Sequence, residues 1–350
     1  MNITVSSSNF AKASYDNEKK ILIAGSSLSS YKAKEIVKPA DKEEAFNLFG
    51  QSSLYEAYET LFDLGVTNVY LSNCYNRSDY LKLIDKVIHY DFDYFVPIDI
   101  FFRDTFYNPA LDKDQYFSEF FLEQLAQVNS LTTVIMTEKH ASLYEDFDQY
   151  TIEMRNIEFD FFNKFSINNM NFLEECGNNL NFVYNNLENI AYANVILAAL
   201  YSNRDYSRYL SSIENITAIY DIDYNDIQGC RAMYFKNNYY TGNVTLENPM
   251  NFKKTADIYA NALIDDVIKK IIKSIDLEKF KGKLYNQYIA VQIESEITKA
   301  LNSLKTKLFK EYTINKIGFR KTEPTSGYVI LDYSFIPYGT LESINVIMGV

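Results

Sequence analysis

Short apolar runs and amphipathic segments alternate along the first 145 residues. The runs have the length of buried strands, and they are 21–24, 67–72, 94–100 and 131–137. The segments between them space their apolar residues as helices do, and they are 41–49, 53–64, 79–90 and 112–129. Ser78 is the predicted N-cap of the third helix, and Gly65 is the predicted stop of the second. The alternation predicts a parallel or mixed sheet covered by helices.

The pattern is weaker over residues 146–246 and strong again in the last hundred residues. In the weaker part, the spacing predicts helices at about 148–164 and 189–202, a strand near 182–185, and short strands and turns over 216–246. Isoleucines and leucines at helical spacing then predict two helices, 264–275 and 289–308. Three strand-like runs follow them, at 315–320, 328–336 and 343–350.

Both ends of the chain alternate apolar and polar residues as strands do. The apolar positions of these end segments are Ile3, Val5, Ile344, Val346, Met348 and Val350. Residues 6–19 are rich in Ser, Asn and Lys and favour a flexible arm. Because a strand must pair its backbone groups, each end needs a partner strand. A partner in a neighbouring subunit would join subunits head to tail into an open helical polymer. Pairing of both ends within their own subunit is the alternative.

Charge is distributed unevenly. Residues 251–350 contain 15 Lys+Arg and 11 Asp+Glu, whereas the whole chain has a net charge of −12. A mildly basic last third on an acidic body indicates a partner with an acidic face. Ordinary variation between domains is the alternative.

Composition and motifs exclude several classes of protein. The chain contains 47% hydrophobic and 16% aromatic residues, a composition that excludes an intrinsically disordered protein. It lacks an apolar run long enough for a transmembrane helix, and its first residues do not have the pattern of a secretory signal. The odd, distant cysteines Cys74, Cys176 and Cys230 favour free thiols in a reducing cytoplasm. Since there is no paired His or C-x-x-C motif, no metal is expected, and no cofactor is expected either. Since there is no basic run and no recognised nucleic-acid motif, nucleic acid is not an expected partner.

A few residues could in principle serve catalysis. The loop Gly25-Ser26-Ser27 follows a strand, but it has only one of the glycines that phosphate-binding loops need. Asp99 and Asp104 flank the carboxyl end of the strand at 94–100, where carboxylates could bind a metal or transfer protons. Asp91 and Asp93 precede the same strand. The histidines are His89 and His140, and no serine-nucleophile motif accompanies them. A simple turn, a solvated acidic rim and capping or loop histidines are the favoured interpretations.

Aromatic residues are unusually frequent, with 30 Tyr and 25 Phe. Clusters lie at 101–102, 116–117, 120–121 and 159–162. Tyrosine combines a large apolar ring with a polar hydroxyl, so it suits surfaces that are buried in one state and exposed to solvent in another. The high aromatic content therefore favours core packing together with contacts between subunits. Stacking on carbohydrate or nucleic acid is the alternative.

The order of these segments resembles the tail sheath proteins of contractile phages and R-type bacteriocins, including diffocin-like contractile injection systems. In the first 206 residues the resemblance rests on ILIAGSS, EEAFNLFGQSSLYEAYETLFDLGVTNVYLSN, DYFVPIDI and AYANVILAALYSNRDY. Near the end it rests on LYNQYIAVQIESEITKALNSL and GYVILDYSFIPYGTLESINVIMGV, two helices followed by strands around a Pro-Tyr-Gly turn.

The resemblance implies an α/β (α+β) fold with mixed sheets covered by helices. The domain shared by the family would be built from the N- and C-terminal parts, with an inserted α/β middle part and extended strand arms at both ends. We expect an arm at 1–20, a middle region at 21–240 with possible subdomains at about 21–145 and 146–240, and a C-terminal sheath domain at 241–350.

The resemblance also implies function and partners. Subunits would be made in the bacterial cytoplasm and would assemble into a virion tail or bacteriocin particle, as a helical homopolymer around an inner tail tube. Baseplate and tail terminator proteins would be further partners, and the subunit itself would touch no membrane. The protein would act by polymerising and not as an enzyme. Two alternatives remain: a baseplate or other structural phage component, and a cytoplasmic α/β enzyme acting on an acidic or phosphorylated small molecule.

Overall fold

The structure is a computed structural model that covers two compact units. The first unit is Asp16–Ile258, and the second contains Tyr259–Val350. The residues that the structure describes are 19–28, 35–88, 90, 92–127, 132–144, 146, 148–150, 152, 156, 180–202, 216–219, 233–238, 243–247, 278–280, 283, 284, 286–305, 309–321 and 327–337. The predicted helix at 264–275, the terminal strands, Asp91, His89, Cys176 and Cys230 lie outside them.

The described elements of the first unit alternate between strands and helices. The strands are β1 (Ile21–Gly25), β2 (Ile36–Val37), β3 (Val69–Asn73), β4 (Tyr94–Pro97), β5 (Thr105–Asn108), β6 (Lys113–Tyr116), β7 (Thr133–Thr137), β8 (Leu180–Val183), β9 (Tyr234–Asn238) and β10 (Asn243–Glu247). The helices are α1 (Lys42–Phe49), α2 (Ser53–Asp63), α3 (Arg77–Val87), α4 (Phe117–Gln127) and α5 (Ala193–Ser202).

Six of these strands form one sheet in the order β2-β3-β1-β4-β7-β8. All neighbours in it pair in parallel except the short edge strand β2. Every residue of β1, β4, β7 and β8 is buried, which explains why these strands appear in the sequence as continuous apolar runs. The predicted strands are therefore confirmed, with ends shifted by one to three residues.

The order of the strands makes this a doubly wound sheet. After β1 the chain adds β3 on one side, and it then adds β4, β7 and β8 on the other side. Helices α2 and α5 contact each other and the sheet, and α3 and α4 contact each other, so each pair covers one face. Aromatic residues from the predicted clusters fill the core beneath α3 and α4, where Phe102, Phe117 and Phe121 are almost fully buried. The strand order reverses between β1 and β4.

Local capping signals set most helix ends. Asp41 caps α1 by accepting the Glu44 N–H at 2.8 Å. Helix α2 ends at Asp63, and Gly65, with a φ of +77°, follows its C-cap Leu64. The predicted N-cap Ser78 was wrong. Asn76 holds that position, because the Asp79 carboxylate accepts the Asn76 N–H at 3.2 Å in a capping box.

The predicted start of the fourth helix was also wrong. Residues 113–116 form β6, which pairs with β5 in an antiparallel hairpin, and the helix begins only at Phe117. The side chains of Asn108 and Gln115 bond across this hairpin at 2.7 Å, and Asp112 adopts a φ of +52° in its turn. Cross-strand pairing therefore overrides the helical spacing of the segment.

Buried asparagines take the place of backbone partners where strands stop. The β4–β7 ladder contains only two residue pairs, and beyond it the Asn194 amide donates to the carbonyls of Pro97 and Ile135 at 2.9 and 3.3 Å. The Asn186 side chain forms two hydrogen bonds with the backbone of Phe235. Its Nδ2 donates to the Phe235 carbonyl oxygen at 2.8 Å, and its Oδ1 accepts the Phe235 N–H at 3.3 Å. Asn194 thus bridges β4 and β7 beyond their ladder, and Asn186 joins the segment after β8 to β9, next to the backbone bridge between Val183 and Met233.

The second unit is described by one helix and one long hairpin. Helix α6 (Gln287–Leu304) buries Ile289, Ile293 and Ile297 on one face, as the isoleucine spacing predicts. Strands β11 (Phe309–Lys321) and β12 (Gly327–Pro337) follow it and pair in antiparallel register with two irregularities. None of the described helices is both long and apolar enough to cross a membrane.

Replacing Asn194 by alanine tests the role of the buried amides. We expect Asn194→Ala to lower the free energy of unfolding by about 1–3 kcal/mol, because two buried carbonyls lose their donor. Urea denaturation followed by far-ultraviolet circular dichroism measures the change. Asn47→Ala, on the exposed surface of α1, is the matched control and should leave the transition within about 0.5 kcal/mol of wild type. Equal midpoints for Asn194→Ala and wild type would contradict the assigned role.

Candidate functional site

The crevice between the carboxyl ends of β1 and β4 is the candidate ligand site of the first unit. Doubly wound sheets bind their ligands where the strand order reverses, at the carboxyl ends of the strands. Two of the candidates from the sequence, the Gly25-Ser26-Ser27 loop and Asp99, come together at this point. The structure thus joins residues that lie 73 positions apart in the chain.

The Asp99 carboxylate fills this crevice. Its Oδ2 atom accepts the Ser26 N–H at 2.5 Å and the Ser53 hydroxyl at 3.0 Å. The Ser27 N–H donates to Asn73 Oδ1 at 3.1 Å, so two successive amides of the loop are bonded to side chains. A phosphate-binding loop would offer such amides to its ligand. In this chain the Asp99 carboxylate accepts the Ser26 N–H that a bound phosphate would otherwise accept.

Gly25 is required by packing in this crevice. A Cβ atom at position 25 would lie 2.5 Å from Cγ1 of Ile98, a distance that a packed core does not accommodate. The glycine therefore permits close approach of β1 and the end of β4.

Tyr192 and Ser53 complete the crevice, and the sequence did not single out either residue. Burial raises the pKa of Tyr192 to about 12, and the nearby Asp99 charge adds to the rise, while a hydrogen bond with Ser53 opposes it. Neither residue belongs to a recognisable motif. Only the crossing of α2 with the segment before α5 brings them to Asp99.

The other candidate acids bond to nearby backbone or to arginine. Asp104 accepts the Phe101 N–H at 2.9 Å and pairs with Arg77 at 2.9 Å. Asp93 lies at the opposite, amino-terminal edge of the sheet and accepts the Lys20 N–H at 2.8 Å. Among the residues that the structure describes, no group of three acidic, His or Cys side chains could hold a metal ion.

His140 and Cys74 have structural surroundings. His140 precedes the short 3-10 helix Ala141–Leu143, where its Nδ1 accepts the Ser142 N–H at 3.3 Å. Its Nε2 lies 2.8 Å from the Leu187 carbonyl oxygen. The ring is therefore a capping group, where the sequence favoured a loop residue. Cys74 is buried and forms no disulfide bond.

Among the described residues, Glu138 is the acid whose pKa shifts most, and no pattern in the sequence points to it. It follows β7, and its side chain is only 4% exposed. Burial raises its pKa to about 7, although the Arg103 N–H donates to it at 2.8 Å and the Arg103 side chain lies 4.0 Å away. The carboxyl thus joins the end of β7 to the turn after β4.

The predicted exchange residues Ile3, Val5, Ile344, Val346, Met348 and Val350 lie outside the described residues. What the structure does show is the neighbouring hairpin. Within the part of the second unit that is described, β11 and β12 pair only with each other. Two-stranded sheets are marginally stable alone.

Comparison with solved structures identifies the fold. The chain aligns with the contracted helical sheath of the anti-feeding prophage over 95% of its length and 93% of the other, with a TM-score of 0.58 and 12% identity. It aligns with a chain of the anti-feeding prophage baseplate at a TM-score of 0.61 and 12% identity, over 95% and 92% of the two chains. This chain has the fold of a contractile sheath protein.

The likeness of this sheath fold extends to a bacterial tail protein. The sheath tail protein from Desulfitobacterium hafniense aligns over 96% of this chain and 99% of its own length, with a TM-score of 0.55 and 9% identity. No protein-family model and no curated protein sequence matches the chain. The sheath fold is thus shared at the level of structure, at 9–12% sequence identity.

The raised pKa of Glu138 predicts how the stability of this sheath fold depends on pH. The folded state holds the proton up to about pH 7, whereas an unfolded Glu releases it near 4.5. The folded state therefore binds more protons between these values, and stability falls as pH rises through this window. Relative to Glu138→Gln, the wild type should lose on the order of 3 kcal/mol across it.

Amide hydrogen exchange of β1 and β7, compared between wild type and variant at each pH, measures this difference. Glu43→Gln, at an exposed position of α1, is the matched control and should follow the wild type. A constant difference between Glu138→Gln and wild type from pH 4 to 8 would contradict the prediction.

Proposed function

We propose that this chain is the subunit of a contractile sheath, which polymerises helically around an inner tube and shortens to drive the tube through a target cell envelope. The observation that carries the proposal is the likeness to a contracted helical sheath over more than nine-tenths of both chains. A shared domain alone would leave a large part of one chain unmatched. Here nearly the whole length of both chains aligns, with a TM-score of 0.58.

Strand exchange between subunits is the proposed means of assembly. The edges of the β11–β12 hairpin need partner strands, and the terminal segments with Ile3, Val5, Ile344, Val346, Met348 and Val350 have the alternation to supply them. Subunits joined in this way stay connected while their packing changes. Under this proposal the arm is 1–20, the outer α/β region is 21–240, and 241–350 with its terminal strand forms the sheath domain.

Contraction then needs no nucleotide. A polymer trapped in an extended packing can release the difference in free energy when it rearranges. The filled crevice at Asp99 supports this mechanism, because the usual ligand position of a doubly wound sheet is taken by the chain itself. The sheath proteins that resemble it are structural proteins, and a non-catalytic role is part of the proposal.

An inner tube, a baseplate and a tail terminator are the proposed partners of the polymer. The last hundred residues carry more Lys+Arg than Asp+Glu, 15 against 11, which suits an acidic tube surface. Assembly would take place in the bacterial cytoplasm, and the product would be a phage tail or a bacteriocin particle.

A baseplate component is the second candidate. The chain from the anti-feeding prophage baseplate aligns with a TM-score of 0.61, slightly above that of the helical sheath. A baseplate protein would form a discrete ring, whereas a sheath subunit would form a tube of variable length. The polymer itself therefore distinguishes the two.

Negative-stain electron microscopy of the purified full-length chain, with and without its tube protein, tests the function. We expect hollow, striated tubes of variable length in at least one of the two samples. Rings of fixed size would instead support the baseplate candidate. Small particles in both samples would contradict the sheath proposal.

Single substitutions test strand exchange. Val346→Asp places a charge on the apolar face of the terminal strand, so we expect tubes to be lost while the α/β unit keeps its thermal transition. Asn345→Asp, on the opposite face of the same predicted strand, is the matched control and should still form tubes. Tube formation by Val346→Asp would argue against exchange of this strand.

A further inference from the structure

The chain enters the first unit through Lys19 and Lys20, which lead directly into β1. The unit begins at Asp16, and β1 is flanked in the sheet by β3 on one side and β4 on the other. Any tension in the segment before Lys19 therefore reaches an interior strand first.

Asp93 ties this entrance to three strands. Its Oδ2 atom accepts the Lys20 N–H at 2.8 Å, and its own N–H donates to the Lys20 carbonyl at 2.9 Å. Its carbonyl accepts the Thr133 N–H at 2.9 Å, at the start of β7. Asp93 itself immediately precedes β4. One residue thus connects the beginnings of β1, β4 and β7.

Lys19 adds a buried cation to the same point. It is only 8% exposed, and its Nζ lies 4.0 Å from Asp93 Oδ1 and 5.7 Å from the centre of the Tyr94 ring. A lysine is seldom buried to this extent unless its charge is compensated. The carboxylate and the aromatic face provide that compensation and hold the lysine in place.

The hydrogen bonds of β1 lie on both sides along its full length. Five residue pairs join it to β3 and four join it to β4, all in parallel register, and every residue of β1 is buried. A pull along the axis of β1 from its amino end strains these bonds together. A pull across the strand would break them one after another. The clamp at Lys19 and Lys20 lies where an axial pull begins.

We propose that Lys19, Lys20 and Asp93 form a mechanical clamp that transmits tension from the N-terminal segment into the central sheet. The source of that tension in the particle, exchange of terminal strands during contraction, rests on the proposed function. The clamp itself is a property of the single subunit. Its strength can therefore be measured on a chain that is not assembled.

Optical-tweezers measurements at constant force test the clamp on the full-length chain. One handle is attached at the N-terminus and the other at position 143, where Leu143 is 70% exposed. We expect Asp93→Ala to shorten the lifetime of the folded unit roughly tenfold or more, because a charge-assisted hydrogen bond and an ion pair are lost. Lys19→Met, which keeps the apolar stem, should shorten it less. Asp85→Ala, at an exposed position of α3, should match the wild type.

A second pulling geometry separates the clamp from general stability. The handles are placed at positions 75 and 143, beyond the carboxyl ends of β3 and β7, and Tyr75 is 64% exposed. In this arrangement no tension is applied along β1 from its amino end. In this geometry Asp93→Ala should have nearly the wild-type lifetime.

The clamp would be overturned if Asp93→Ala shortened the lifetime of the folded unit equally in both pulling geometries. It would also be overturned if Asp93→Ala left the lifetime unchanged when the N-terminus is pulled. If Asp93→Ala does not fold, the same comparison is made with Lys19→Met, and equal lifetimes for it and wild type would overturn the clamp. These results do not depend on tube formation. A chain that fails to form tubes but shows the lifetime difference would refute the sheath proposal and keep the clamp.

Discussion

Backbone groups buried at the ends of short parallel strands are the constraint on which the first unit depends. A fully covered sheet offers no water to an unpaired N–H or carbonyl, so each needs a partner from the chain. Asn194 supplies donors beyond the β4–β7 ladder, and Asn186 supplies both groups for Phe235. Asp93 and Asp99 do the same at the two edges of the sheet. Strands of four or five residues can thus form a continuous sheet.

The same constraint removes the ligand site that the topology would otherwise provide. At the point where the strand order reverses, a ligand usually bonds the loop amides. In this chain the Asp99 carboxylate accepts the Ser26 N–H, and the side-chain oxygen Oδ1 of Asn73 accepts the Ser27 N–H. The amides at this end of the sheet are therefore bonded within the chain.

The candidate site shows where sequence reasoning was limited. The loop at Gly25 and the carboxylate of Asp99 were both visible in the sequence, but the reason for the glycine was the side chain of Ile98. Glu138 gave no signal at all, because an acid after a strand is usually exposed. Its burial comes from the turn after β4, which packs its Arg103 amide onto it. Contacts between distant segments create these environments, and periodicity does not report them.

The sequence by itself determined the alternation of buried strands and amphipathic helices, and hence the α/β class, because strand and helix periods are local properties. It also determined the isoleucine face of α6. Only the tertiary structure decided that β1 lies inside the sheet, that residues 113–116 form a strand, and that Asn76 caps α3. Each of these depends on partners far along the chain or on competition between neighbouring caps, and the free energy of such contacts overrides local preference.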